Sequence, residues 1–236
     1  MMRVSEPAEL YTTKAEYAYM RLRERILSGE LPPGTVIPQA RLAREIGIST
    51  TPLREALRRL KSENLVDLDA HRDARVKPLR AEEARDLLEL RRSLDPLAAA
   101  LAADRRTKED IGLLRSSIEG LQPLPGDPAV EQLVAHRRFH AAIYRASHNE
   151  LLIETLDGLW DKADRYRRLA LEVDRGQAER DKKAAEHQAL LDCILAGDAD
   201  GAAAVMREHI DTSLGAKAAW RLRKPAGEAP EPLRDA

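Results

Sequence analysis

LAREIGISTTPLREALRRLKSENLV, Leu42 to Val66, is the stretch that decides the fold. Its first part sets Leu42, Ala43 and Ile46 on one helical face and stops at Gly47. Ser49 or Thr51 then offers a capping oxygen, and Pro52 falls in the first turn of a second helix, where its missing N–H costs little. In that second helix Leu53, Ala56, Leu57 and Leu60 recur at the helical period. Two short amphipathic helices joined by a tight glycine turn predict a helix-turn-helix. With the apolar residues turned inward, Thr50, Thr51, Arg54 and Arg58 share the outer face, flanked by Arg59 and Lys61. Arg54 and Arg58 are i,i+4 neighbours with the reach for guanine edges or phosphates in a major groove, and threonine hydroxyls donate to phosphate. Spacing alone also allows these to be ordinary surface charges.

On the N-terminal side, YAYMRLRERILSGE predicts a helix with Tyr19, Leu22, Ile26 and Leu27 on its inner face and Gly29 as its stop, followed by a turn at LPPGT. On the C-terminal side, LVDLD and ARVKPL are β-like runs around AHRD, which predicts a hairpin wing with His71 and Arg72 at its tip. This gives a winged helix-turn-helix over residues 1–78. Residues 79–224 read as an all-helical bundle: Ala81 to about Asp104, breaking at Asp95-Pro96, then Lys108 to about Leu121, Pro128 to about Ala146, Glu150 to about Val173, Gln177 to about Ala196, and Asp200 to about Arg223. The tail, 225–236, has too few apolar groups to offset its ordering entropy and is expected to be disordered.

Composition agrees with a mostly α protein, since aromatics make up 3% of the 236 residues. Net charge is −1, but unevenly spread: the first 78 residues carry 14 Lys and Arg against 11 Asp and Glu, the rest 25 against 29. That asymmetry fits a polyanion-binding segment joined to an acidic one. Cys193 stands alone in an apolar run, which excludes an intrachain disulfide. No signal peptide is read, and the longest apolar run, LAAALAA from Leu97, is too short to span a bilayer, so a cytoplasmic protein without membrane partners is expected.

Four of the six histidines fall on apolar stripes of the bundle: His136 and His140 on one helix, His187 and His209 on two others. Each buried neutral imidazole brings a polar group that needs a partner. An i,i+4 pair with single ligands from two further helices suits a divalent metal, zinc or nickel in preference to magnesium or calcium. The alternative is a hydrogen-bonded core cluster. Arg91 shares a stripe with Leu87, Leu94 and Ala98, where a guanidinium needs an anion, either an acidic effector or a structural carboxylate. Asn149 is a candidate for the same pocket, and His148 sits at a helix joint.

LRERILSGELPPGT followed by LAREIGISTTPLREALRRLKSENLV resembles the DNA-binding domain of GntR-family bacterial transcription regulators from Tyr17 to Leu79, with TPLREAL closest to the family signature. The chain departs from the family where Ala40 and Thr50 replace common arginines, and where Asp73 replaces a wing glycine, a position at which Asp tolerates a left-handed backbone. LLELRRSLDPLAAALAA, HRRFHAAIYRASHNELL and EHQALLDCILAGDADGAAAVMREHI resemble the FCD ligand-binding domain of the FadR-like branch. The resemblance implies a metal bound by an aspartate and three histidines beside a small carboxylic or sugar acid. His140, His187 and His209 match the histidines, and His136 stands at the aspartate position. One short recognition helix reads few bases and half-sites are normally paired by symmetry, so a homodimer on double-stranded operator DNA is expected, with repression relieved by ligand as the default and no enzymatic activity. The rivals are a metalloenzyme, against which stands the lack of a carboxylate general base in the histidine stripes, and a sensor of the metal itself.

Overall fold

The computed structural model describes residues 13–68, 73–125, 128, 130–171 and 176–223. Its contacts divide the chain into two units, residues 1–79 and 80–236. His71, Arg72 and the tail from 225 lie outside the described residues.

In the first unit, helix α1 (Lys14–Leu27) starts where the Thr13 side chain accepts a hydrogen bond from the Glu16 amide, and it buries Ala18, Tyr19, Leu22 and Ile26. Gly29, at φ 77°, turns the chain out of the helix. Strand β1 (Val36–Ile37) precedes α2 (Gln39–Glu45), and Gly47, at φ 71°, makes the tight turn into α3 (Thr50–Ser62). Leu53, Ala56, Leu57 and Leu60 of α3 are buried, as their spacing predicts. Ser49 occupies the N-cap of α3 without a side-chain capping bond. Strands β2 (Val66–Asp67) and β3 (Ala74–Val76) follow.

The sheet has three strands in the order β1-β3-β2, all antiparallel, with Val36 opposite Arg75 and Val66 opposite Val76. The sequence predicts only the hairpin, because a two-residue strand shows no period. Asp73 is not among the residues with a left-handed backbone; its carboxylate instead accepts the Gln39 amide at 3.0 Å and so caps α2.

The second unit holds helices α4 (Ala81–Arg105), α5 (Lys108–Glu119), α6 (Val130–Ala146), α7 (Glu150–Leu171), α8 (Gln177–Ala196), α9 (Ala199–Asp211) and α10 (Leu214–Arg223). Contrary to the sequence expectation, α4 runs unbroken through Pro96. An interior proline costs a helix about 3 kcal/mol, but α4 packs against α6 to α10, and Ala98, Ala99, Ala102 and Ala103 are fully buried, which outweighs the loss.

The single long helix expected after Asp200 is two helices. Thr212 turns its hydroxyl back onto the Glu208 carbonyl, and the Ser213 hydroxyl accepts the Ala216 amide, capping α10. Thr107 and Asp110 form a reciprocal capping box at the start of α5. The core of the bundle is built on Leu114, Phe139, Ile143, Leu190, Ile194 and Met206, all fully buried, with Cys193 packed at its edge.

Candidate metal and effector site

His136 and His140 come from α6, His187 from α8 and His209 from α9. One donor nitrogen from each lies within 4.8 Å of the others, and the rings of His187 and His209 are 4.7 Å apart between centroids. Nitrogens around a four-coordinate zinc at 2.0–2.1 Å stand about 3.4 Å apart, so each ring needs to close by less than ~1 Å. His140, His187 and His209 are buried and His136 is half-buried.

Burial holds all four imidazoles below their ordinary pKa, so they are neutral near pH 7, the form that ligates metal. Neither ring nitrogen of His140 finds a hydrogen-bond partner among the described residues, nor does Nε2 of His187. A buried imidazole with both nitrogens orphaned is costly as a mere core residue, and the cluster fits a soft-to-borderline divalent ion.

The surroundings orient the imidazoles. Nδ1 of His209 lies 2.9 Å from Glu186 Oε2 and donates to it, which leaves Nε2 as the lone-pair nitrogen. Lys183 Nζ donates to the same carboxylate oxygen at 2.6 Å and to Thr212 at 2.5 Å. Burial alone raises the Glu186 carboxyl, but hydrogen bonds from His209 and Lys183 outweigh it and bring it to about 2. Glu186 is therefore an anion across the working pH range.

A cavity of about 50 Å³ opens beside the cluster, lined among others by Arg91, His136, Trp160, Arg167 and Lys183. It has room for roughly four water-sized positions, the scale of a small acid. Arg91 is held by a buried bidentate pair, Nε to Asp95 Oδ2 at 3.2 Å and Nη2 to Asp95 Oδ1 at 2.9 Å, with the Tyr144 hydroxyl donating to the same Oδ1 at 2.6 Å. The structural carboxylate that the sequence allows for Arg91 is thus Asp95, and Arg91 also lines the cavity. Asn149 does not line the cavity. Its side-chain oxygen accepts the Leu152 amide at 3.2 Å, so it caps α7, and the effector role expected for it is withdrawn. His148, in a left-handed conformation at φ 48°, pairs instead with Asp110 at 2.8 Å.

In the first unit the α3 surface carries Thr50, Thr51 and Arg58 exposed and Arg54 half-buried. The flanking cations are engaged within the unit. Arg59 lies over the Tyr19 ring at 3.6 Å and bonds Glu16 at 2.8 Å, and Lys61 donates to the Leu68 carbonyl at 3.1 Å.

Two family models match this chain: the FCD domain over residues 86–212, and "Bacterial regulatory proteins, gntR family" over residues 14–76. The chain belongs to the GntR family of bacterial regulatory proteins, with an FCD domain.

The HTH-type transcriptional regulator McbR of Escherichia coli (strain K12) is 31% identical over 140 residues, a match spanning 59% of this chain and 63% of that protein. The putative L-lactate dehydrogenase operon regulatory protein of the same strain is 32% identical over 217 residues, 80% of this chain and 81% of that protein. The HTH-type transcriptional repressor GlaR, also of that strain, is 27% identical over 206 residues, 83% of this chain and 92% of that protein. The solved structure of E. coli McbR/YncC covers 91% of this chain and 100% of its own, with a TM-score of 0.74 at 24% identity, and shares the fold. Family and relatives are those of transcription regulators, not enzymes.

In this GntR/FCD chain sequence reasoning passed over three members of the site: Trp160, Arg167 and Lys183. Trp160, Ala163, Arg167 and Ala170 recur at helical spacing on α7, so a buried arginine on an apolar stripe was as legible there as at Arg91. Both guanidinium groups lie over the Trp160 ring, Arg91 at 4.9 Å and Arg167 at 5.2 Å from its centroid.

Proposed function

We propose that this chain is a cytoplasmic, homodimeric repressor that reads double-stranded operator DNA through α3. In this reading it is released by a small carboxylic or sugar acid bound beside a divalent ion in its FCD domain. Thr50, Thr51, Arg54 and Arg58 contact the DNA, with His71 and Arg72 as wing contacts. His140, His187 and His209 hold the ion, zinc or nickel, with His136 on the fourth side of the cluster, and the bound ion supplies a Lewis-acidic partner for one end of an anion. Arg91, which lines the same cavity, supplies positive charge for the anion. Dimerisation follows from the short recognition helix, which reads too few bases alone and is ordinarily paired by symmetry on two half-sites. Among the described residues no helix is long and apolar enough to cross a membrane.

The observation that carries this reading is His140, buried to 1% exposure in a ring of four imidazoles with neither nitrogen partnered. An acid that binds one arrangement of the dimer more tightly shifts the population between arrangements and so changes DNA affinity. The test selects bound duplexes from a random library and measures their affinity by fluorescence anisotropy with zinc, with zinc plus each acid of a panel including L-lactate, and with chelator. Weaker DNA binding only when zinc and one acid are both present supports the reading. DNA affinity that tracks zinc alone favours a metal sensor instead.

A further inference from the structure

We infer that His136 is not the fourth metal ligand of this chain but a hydrogen-bond donor to the effector anion, and that Arg167 holds it in that role. The inference rests on the metal-and-anion reading of the cluster and settles what its odd member does. Nη2 of Arg167 lies 3.3 Å from Nδ1 of His136 in hydrogen-bonding geometry. A guanidinium has five donors and no acceptor, so Nδ1 of His136 accepts, and the proton of a neutral ring with an accepting Nδ1 resides on Nε2. Neither nitrogen is then available to an ion, since Nδ1 is occupied by Arg167 and Nε2 carries hydrogen. His209 shows the opposite arrangement, its Nδ1–H given to Glu186 and its Nε2 left as a lone pair.

Arg167 is itself fixed. Nη1 donates to Asp164 at 2.7 Å, its guanidinium carbon lies over the Trp160 ring at 5.2 Å from the centroid, and the residue is 5% exposed. With Arg167 anchored in this way, an Nδ1 of His136 turned elsewhere forfeits its hydrogen bond. His136 is also the half-buried member of the four, placed with Arg91, Arg167 and Lys183 on the cavity wall. A carboxylate entering there meets an N–H from Nε2 of His136 and a cationic lining. The histidine that stands where an aspartate is common therefore exchanges a negative ligand for a donor aimed at an anion.

The experiment uses the full chain and two probes, Co²⁺ and acetate. Metal affinity is read by competition with a chromophoric chelator, and acetate affinity from the visible spectrum of the cobalt-loaded protein, after circular dichroism confirms that each variant is folded. His140→Ala loses about a hundredfold or more in Co²⁺ affinity, whereas His136→Ala stays within about threefold of wild type. His136→Ala weakens acetate about tenfold or more, and His136→Gln, which keeps a donor, recovers most of it. Arg167→Met frees Nδ1 and tightens Co²⁺ about tenfold, and that gain disappears in His136→Ala/Arg167→Met, where a purely electrostatic effect of Arg167 would persist.

If His136→Ala loses Co²⁺ as severely as His140→Ala, or leaves acetate affinity unchanged, the inference falls while the metal site stands. If the wild type takes up no Co²⁺, the site reading falls and the inference with it.

Discussion

Asp95→Asn tests the scaffold that holds the cavity. Asp95 is fully buried, one helical turn from Arg91 on α4, and its two oxygens receive three donors: Nε and Nη2 of Arg91 and the Tyr144 hydroxyl. Asparagine keeps the shape but removes the charge, and its amide nitrogen must face at least one of those donors. Arg91, 6% exposed, then becomes a buried cation without a counter-charge. Removing one partner of such a pair costs about 3–5 kcal/mol, and for a unit of this size each kcal/mol moves the midpoint by about 2–4 °C, which gives a drop of roughly 6–20 °C. The assay is thermal unfolding of the metal-free full chain followed at 222 nm, where the helices of the second unit dominate the signal. Replacing the whole group, Arg91→Met with Asp95→Leu and Tyr144→Phe, returns the midpoint most of the way, because apolar residues of similar volume leave no charge to desolvate. A loss under ~1 kcal/mol for Asp95→Asn, or a triple variant as unstable as the single one, refutes the argument that Asp95 compensates a buried Arg91 charge.

Other consequences are separately measurable. Arg54→Ala lowers affinity for the selected operator about tenfold or more while the 222 nm melt is unchanged, and retained specific binding overturns the α3 assignment. Glu186→Gln weakens Co²⁺ about 10–100-fold in the chelator competition by loosening the orientation of His209, although Glu186 is no ligand. Phe139→Ala, which empties a fully buried site whose ring lies against His140 and His187, costs about 3–5 kcal/mol in denaturant unfolding. Asp110→Asn removes half of the α5 capping box and the His148 contact, at about 1 kcal/mol. Burial raises the Asp110 carboxyl, but its bonds to Thr107 and His148 outweigh that and hold it below the ordinary range. Its stabilisation is therefore complete above that range and lost as pH falls through the lowered value, so wild-type and variant melts converge in strong acid.

Much of the fold was legible because periodicity reports buried faces directly. Leu53, Ala56, Leu57 and Leu60 marked α3 unaided, and the histidine stripes picked out four residues that the helices do bring together. What escaped had physical reasons. Strand β1 is two residues long, and its pairing with β3 is a tertiary contact, invisible locally. Pro96 argues for a break on intrinsic cost, and only the alanine face against five other helices overrides it. The α9–α10 joint rests on two side-chain bonds of Thr212 and Ser213 that leave the apolar pattern nearly continuous. Asn149 was misplaced because a polar residue before a helix is read equally well as a cap or a ligand. Arg167 showed its stripe but not its partner, since the His136 contact joins residues 31 apart in sequence.

The central claim is that the four-histidine cluster is a metal site and not a polar core, and the most direct measurement is the thermal midpoint of wild type and His140→Ala, each with chelator and with excess zinc. An ion bound only by the folded chain raises the midpoint by mass action, worth about 4 kcal/mol at a thousandfold excess over Kd. The account predicts a zinc-dependent rise of about 8–16 °C in wild type and none in His140→Ala. Equal midpoints for wild type with zinc and with chelator would contradict it.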